Sequence, residues 1–104
     1  MAISPLLADL LQGYNTGKKT GALYVAVAEE SEYLIRFYFN EGDIYSMSYG
    51  PIKGRVCLDI LDYYRLGKVV YFEGLKSPTV STDLPRTEDI IRLVSKNGKQ
   101  VQIN

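Results

Sequence analysis

The chain has 104 residues, 12 Lys plus Arg against 12 Asp plus Glu, one cysteine, no histidine and no tryptophan. That length suits one domain with one core. Without histidine, and with too few cysteines for a disulfide or a Cys-based metal site, most hydrolase and metalloenzyme templates are excluded, and the zero net charge lacks the basic footprint of a duplex-binding protein.

In chain order, residues 4–13 carry helix signals: Ser4 as a cap, Pro5 at the first helical position, Leu6, Leu7, Leu10 and Leu11 on one stripe, and Gly13 as a stop. So short a helix needs an apolar surface to dock on. Residues 14–21 read as a polar, glycine-bearing loop. Alternation then predicts a strand over 22–29, with Leu23, Val25 and Val27 on one face and Tyr24, Ala26 and Ala28 on the other. Past the acidic turn at Glu29, Glu30 and Glu32, a strand over 33–40 sets Tyr33, Ile35, Phe37 and Phe39 against Leu34, Arg36, Tyr38 and Asn40, and the two close an antiparallel hairpin. A tight turn with Gly42 at a positive φ leads to a third strand over 44–49, completing a meander.

The loop 50–54 breaks the sheet and leads into a helix over 55–66, whose buried stripe is Cys57, Ile60, Leu61 and Tyr64, broadened by Val56 and Tyr63 and stopped by Gly67. Residues 69–73 read as a fourth strand, and 74–86, containing Pro78 and Pro85, as a polar linker. Thr87 caps a last helix, 87–97, which ends at Gly98, while the tail beyond reads either as an edge strand or as a frayed end. The expected architecture is a single α+β domain over 1–104. It has a three-stranded antiparallel meander plus a fourth strand, helices on one face, and the order α-β-β-β-α-β-α.

Few residues invite chemistry. Gly17-Lys18-Lys19-Thr20 has a superficial likeness to the end of a P-loop, but a helix precedes it, a strand follows it and the threonine is displaced by one residue. The loop therefore reads as solvated, with Lys18 and Lys19 available as a small contact for an anion or an acidic partner. Asp59 and Asp62 sit opposite an apolar stripe, and Cys57 has no histidine to deprotonate it and lies on the buried stripe. No catalytic, cofactor or metal residue is assigned, and the chain is not expected to be an enzyme. Lacking a 20-residue apolar run or a signal-peptide pattern, it is expected in the cytoplasm without membrane insertion.

The second face of the sheet is more informative. If helices cover Leu23, Val25, Ile35, Phe37 and Phe39, then Tyr24, Ala26, Arg36 and Tyr38 point the other way. Tyrosine and arginine are enriched at protein interfaces. Tyr24, Arg36 and Tyr38, assisted by Tyr45, are thus the expected contact surface for a partner or a second copy. The competing reading is that these tyrosines only pair across strands, or lie under the third helix.

Residues 21–74 also carry a recognisable run of motifs: TGAL at a strand start, FNEGDI at a strand end, then MSYGPIKG, LDIL within a helix, and GKVVYFEG. This pattern resembles the PATAN-type domain of bacterial signalling proteins. The matching positions are Leu7, Leu10 and Leu11, then Thr20, Gly21 and Leu23, then Phe39, Gly42 and Ile44, then Gly54, Ile60 and Leu61, and finally Gly67 and Phe72. Met47 departs from the family's usual small residue, and the family's helical insertion is reduced to residues 50–53. The resemblance implies a non-enzymatic regulatory module that mediates protein–protein contacts in bacterial signal transduction and names no catalytic residue.

The expectation is therefore a self-associating interaction or adaptor module without cofactor. One alternative is a small-ligand or nucleotide sensor with a pocket between helices and sheet, lined by tyrosines and Ser46. Single-stranded nucleic-acid binding ranks last, because Arg36 alone is placed beside the aromatic residues.

Overall fold

The computed structural model describes residues 4–28 and 32–103. Period-two alternation builds the sheet: β1 (Gly21–Val27), β2 (Leu34–Asn40) and β3 (Asp43–Tyr49) form the meander, and β5 (Leu66–Glu73) returns antiparallel along β1. A two-residue strand, β4 (Ile52–Lys53), lies against β3 within the region expected to be only a loop. Gly50 and Gly54, both at positive φ, turn the chain back so that this short pairing forms. The strand order is β4-β3-β2-β1-β5, and the fold class is α+β as expected.

Three helices, α1 (Leu7–Thr16), α2 (Val56–Tyr63) and α3 (Thr87–Asn97), pack on one face of this sheet. Leu7, Leu11, Cys57, Leu61, Ile90 and Val94 from the helices share one buried core with Leu23, Val25, Ile35, Phe37, Phe39 and Met47 from the strands. No described helix is long and apolar enough to cross a membrane.

Several boundaries differ from the sequence expectation. Helix α1 does not begin at a serine cap: Leu6 is its N-cap residue without a side-chain hydrogen bond, and the Leu7 N–H instead donates to the Lys99 carbonyl at 2.9 Å. Nor does it stop at Gly13. Tyr14, three residues beyond Leu11, continues the apolar stripe and stacks on Tyr71 with ring centroids 4.8 Å apart, edge-on to Phe39 at 5.4 Å. That burial outweighs the glycine penalty of roughly 1 kcal/mol, so residues 14–16 are helical rather than loop.

Helix α2 ends at Tyr63, Tyr64 is extended, and Gly67 belongs to β5 instead of stopping a helix. Leu66 reaches back to pair with Val27 across a bulge, so pairing with β1 claims residues that helical periodicity also fits. Val56 and Tyr63 are exposed and do not broaden the buried stripe. Thr87 does not cap α3, since its hydroxyl accepts the buried Ile44 N–H at 2.8 Å and ties the helix to β3. Gly98, at φ 60° and ψ 28°, ends α3 as expected.

The tail resolves toward the edge of the sheet. Gln102 donates its N–H to Gly67 O at 2.9 Å and accepts from Val69 N–H at 3.1 Å, while Val101 is buried. The expected acidic turn at Glu29 and Glu30 lies outside the described residues.

Candidate interaction surface

Strand register fixes which side chains share the face turned away from the helices. One cross-strand row runs Lys53–Ser48–Arg36–Tyr24–Val70 and the next runs Ser46–Tyr38–Ala22–Phe72. Two bulges adjust this face. In β3 the register shifts between Tyr38 and Phe39, leaving Tyr45 as the extra residue next to Ser46. In β5 the shift opposite Ala26 involves Gly67 and Lys68. In such bulges both residues turn to one side of the sheet, which carries Tyr45 and Lys68 onto the open face.

Residues 74–86, expected to be a linker, act as a strap across one end of this face. The strap leaves β5 at Gly74, where φ is 76°, and its first N–H donates to Thr20 O at 2.9 Å. Ser77 N–H donates to Tyr45 Oη at 3.0 Å, and the Ser46 and Ser77 hydroxyls share a hydrogen bond at 3.1 Å. Further along, Ser81 N–H donates to Tyr45 O at 3.0 Å, and Met47 N–H donates to Ser81 Oγ at 3.2 Å. Asp83 Oδ1 then accepts the Arg55 N–H at 3.1 Å, in space that Gly54 leaves open by lacking a Cβ. The strap thereby completes the hydrogen bonding of β3 where β4 is too short to reach.

The four sequence-selected residues therefore divide. Tyr38 is only 4% exposed and Ser46 beside it only 1%, so the strapped end of the face is closed. Tyr45 is half-buried with its hydroxyl engaged by Ser77. Tyr24 and Arg36 remain at the surface, with the Arg36 guanidinium 4.8 Å from the centre of the Tyr24 ring, a cation–π contact. The rings form a continuous row from strand to strand: Phe72 to Tyr24 at 4.9 Å, Tyr24 to Tyr38 at 6.3 Å, and Tyr38 to Tyr45 at 6.4 Å. The Tyr24 and Tyr38 hydroxyls meet at 3.3 Å. Burial, followed by the Tyr24 hydroxyl, raises the Tyr38 pKa, and nearby Arg36 opposes the rise only in part.

The open part of the face has members that sequence reasoning did not single out. Val70 is 53% exposed and Phe72 41%, joined by exposed Leu34 on β2, one strand beyond β1. The alternation of residues 69–73 held the signal, because Tyr71 and Val69 pack toward the core and leave Val70 and Phe72 for the opposite side. What it lacked was the pairing partner, since only the antiparallel match to β1 sets Val70 beside Tyr24.

Lys18 and Lys19 are not brought to this surface. They lie in the turn between α1 and β1, where Lys18 has φ 51° and the Lys19 ammonium stands 3.8 Å from the Glu73 carboxylate with both groups well exposed. The Lys19 N–H and C=O bond to Tyr14 O and Gly42 N–H, so the turn is a structural junction. Ser46 faces away from the helices, and the space between helices and sheet is filled by Phe37, Phe39 and Met47, all fully buried. A cleft of about 480 Å³ at the start of α3 is lined by Asn15, Asp43, Ile44, Pro85, Arg86, Thr87 and Glu88, with no tyrosine among them. No family model, curated protein or solved structure matches the chain.

Proposed function

We propose that this chain is a non-enzymatic protein-interaction module of the PATAN type, a regulatory or adaptor domain of bacterial signal transduction that docks its partner through the open face of its sheet. The exposure of Val70 and Phe72 beside Tyr24 and Leu34 carries this reading. Covering a valine or phenylalanine side chain is worth roughly 1.5–3 kcal/mol, and the helices leave both in water. Exposed apolar patches rimmed by polar groups characterise interaction sites. The rings beneath are held by neighbouring strands and by the strap, so a partner meets a surface with little freedom left to lose.

The test is a Val70→Ser/Phe72→Ser double variant compared with Leu93→Ser, which removes an exposed leucine from α3 on the helical side. Proteins retained from a lysate of the source organism are quantified on all three immobilised chains, and sedimentation velocity reads self-association. The expected outcome is that partners, including a second copy where one binds, are lost from the double variant and kept by Leu93→Ser. Equal retention by the double variant and the parent, with unchanged sedimentation, overturns the open face as the docking surface.

A further inference from the structure

We infer that the occupant of the open face is an acidic protein segment with apolar anchors, laid across the strands over Tyr24 and Val70 with its carboxylates against Arg36, Lys53 and Lys68. This rests on the open face being the docking surface and adds the chemistry of the partner.

The charge pattern carries the inference. The row Lys53–Ser48–Arg36–Tyr24–Val70 holds a cation at one end and another in its middle, and the adjoining bulge in β5 places Lys68 at the other edge of the sheet. No Asp or Glu stands in either cross-strand row. The acidic residues of the described strands, Asp43 and Glu73, lie at strand ends, with Glu73 already facing Lys19. Lys53 and Lys68 make no ion pair with a described residue, and among the described residues Arg36 is engaged only by the neutral Tyr24 and Tyr38. In a chain of zero net charge, the only charges in these two rows are cations, with Asp83 of the strap lining the cleft at Lys53 without an ion pair to it, and that charge is left for a partner to neutralise. Beside the cations lie Tyr24 and Val70 in the same row, Phe72 in the row on one side and Leu34 on the other, which require apolar side chains from the occupant.

Other occupants fit less well. A single-stranded nucleic acid needs free ring faces for stacking, but Arg36 covers the Tyr24 ring, Tyr38 is buried, and Phe72 is tilted at 60° against Tyr24. A second copy docked face to face would bring two sets of the same three cations together with no acid in either cross-strand row to answer them, and like-charge juxtaposition is costly.

Five strands spaced about 4.8 Å apart give a row of roughly 19 Å, which about six extended residues cross. The probe is therefore an array of peptides of about eight residues in which Leu, Val and Phe alternate with Glu, each beside a twin carrying Gln for Glu. Affinities are read by fluorescence polarisation at about 50 and about 500 mM NaCl, where screening lengths differ severalfold. A thymidine oligonucleotide and phosphatidylglycerol vesicles run in parallel. The expected result is that acidic peptides bind at least about tenfold more tightly than their twins at low salt, and that high salt removes the advantage. Lys53→Gln/Lys68→Gln should remove it too, with melting behaviour unchanged.

Equal binding of acidic peptides and twins overturns the acidic class while leaving the docking surface in place. Tighter binding of the oligonucleotide or the vesicles overturns it in favour of those partners. Absence of peptide binding, together with unchanged protein retention by Val70→Ser/Phe72→Ser, overturns both the inference and the docking surface.

Discussion

The Cys57 thiol is fully buried beside the Ile52 carbonyl, and burial, aided by the Asp83 carboxylate, pushes its pKa from 9.0 up to about 11. The folded chain thus keeps this proton at pH values where the unfolded chain releases it. Below about pH 9 Cys57 adds no pH dependence, and as the pH rises from 9 toward 11 the unfolded state binds fewer protons, so stability falls. Tyr14 and Tyr71, both raised chiefly by burial, extend the same trend to higher pH. Labelling by a thiol reagent at pH 8 is expected to be at least about 100-fold slower in the folded chain than in denaturant, since two pKa units alone remove two decades of thiolate. Labelling at the unfolded rate would show that the α2 region opens freely. The position of this thiol was legible, because Cys57 falls on a helical stripe with Ile60 and Leu61. The burial of Tyr38 was not, because the strap residues that close its end of the face act through bonds spanning 31 to 34 positions in the chain.

Among the elements, local punctuation competed with tertiary packing. A glycine after a leucine-rich stripe is a strong stop signal, yet α1 runs through Gly13 because the Tyr14 ring finds Tyr71 and Phe39. Those partners are distant in sequence, so no local pattern announces them. A Cβ at Gly13 would meet no atom within 4 Å, whereas one at Gly42, where φ is 86°, would lie 2.6 Å from Asn15 O. Gly13→Ala is therefore expected to stabilise the chain by about 0.5–1 kcal/mol. Gly42→Ala should destabilise it by at least about 1 kcal/mol through backbone strain and displacement of α1. Urea unfolding of the two variants checks both signs, and a destabilising Gly13→Ala would mean that α1 ends where the sequence suggested. The meander was readable because alternation in residues 22–27 and 34–40 is clean and a tight turn joins the third strand to them. The bulges that lift Tyr45 and Lys68 onto the open face show only as a core spacing of three, Ile44 to Met47 and Leu66 to Val69, which also fits a helix until the partner strand is known.

At the scale of the molecule, the tail joins the two ends of the chain to the edge of the sheet. Lys99 O accepts from Leu7 N–H at 2.9 Å, Val101 N–H donates to Pro5 O at 3.0 Å, and Gln102 pairs with Gly67 and Val69 of β5. These bonds supply the missing cap of α1 and cover part of the outer edge of β5, which would otherwise offer unpaired groups to another chain. Val101, fully buried in the common core, anchors the arrangement. Val101→Ala is expected to cost about 1–3 kcal/mol, from two lost methyl groups and the cavity left behind. Removing residues 99–104 should cost more and promote aggregation through the uncovered edge, with light scattering as the measurement. The tail pairs at the outer edge of β5 while Tyr24, Arg36 and Val70 lie on the open face, so at a temperature where Val101→Ala remains folded it should retain the binding properties of the parent. Loss of binding in a folded Val101→Ala variant would mean that the tail transmits its packing through β5 to Val70, and that the docking surface depends on the closure of the two termini.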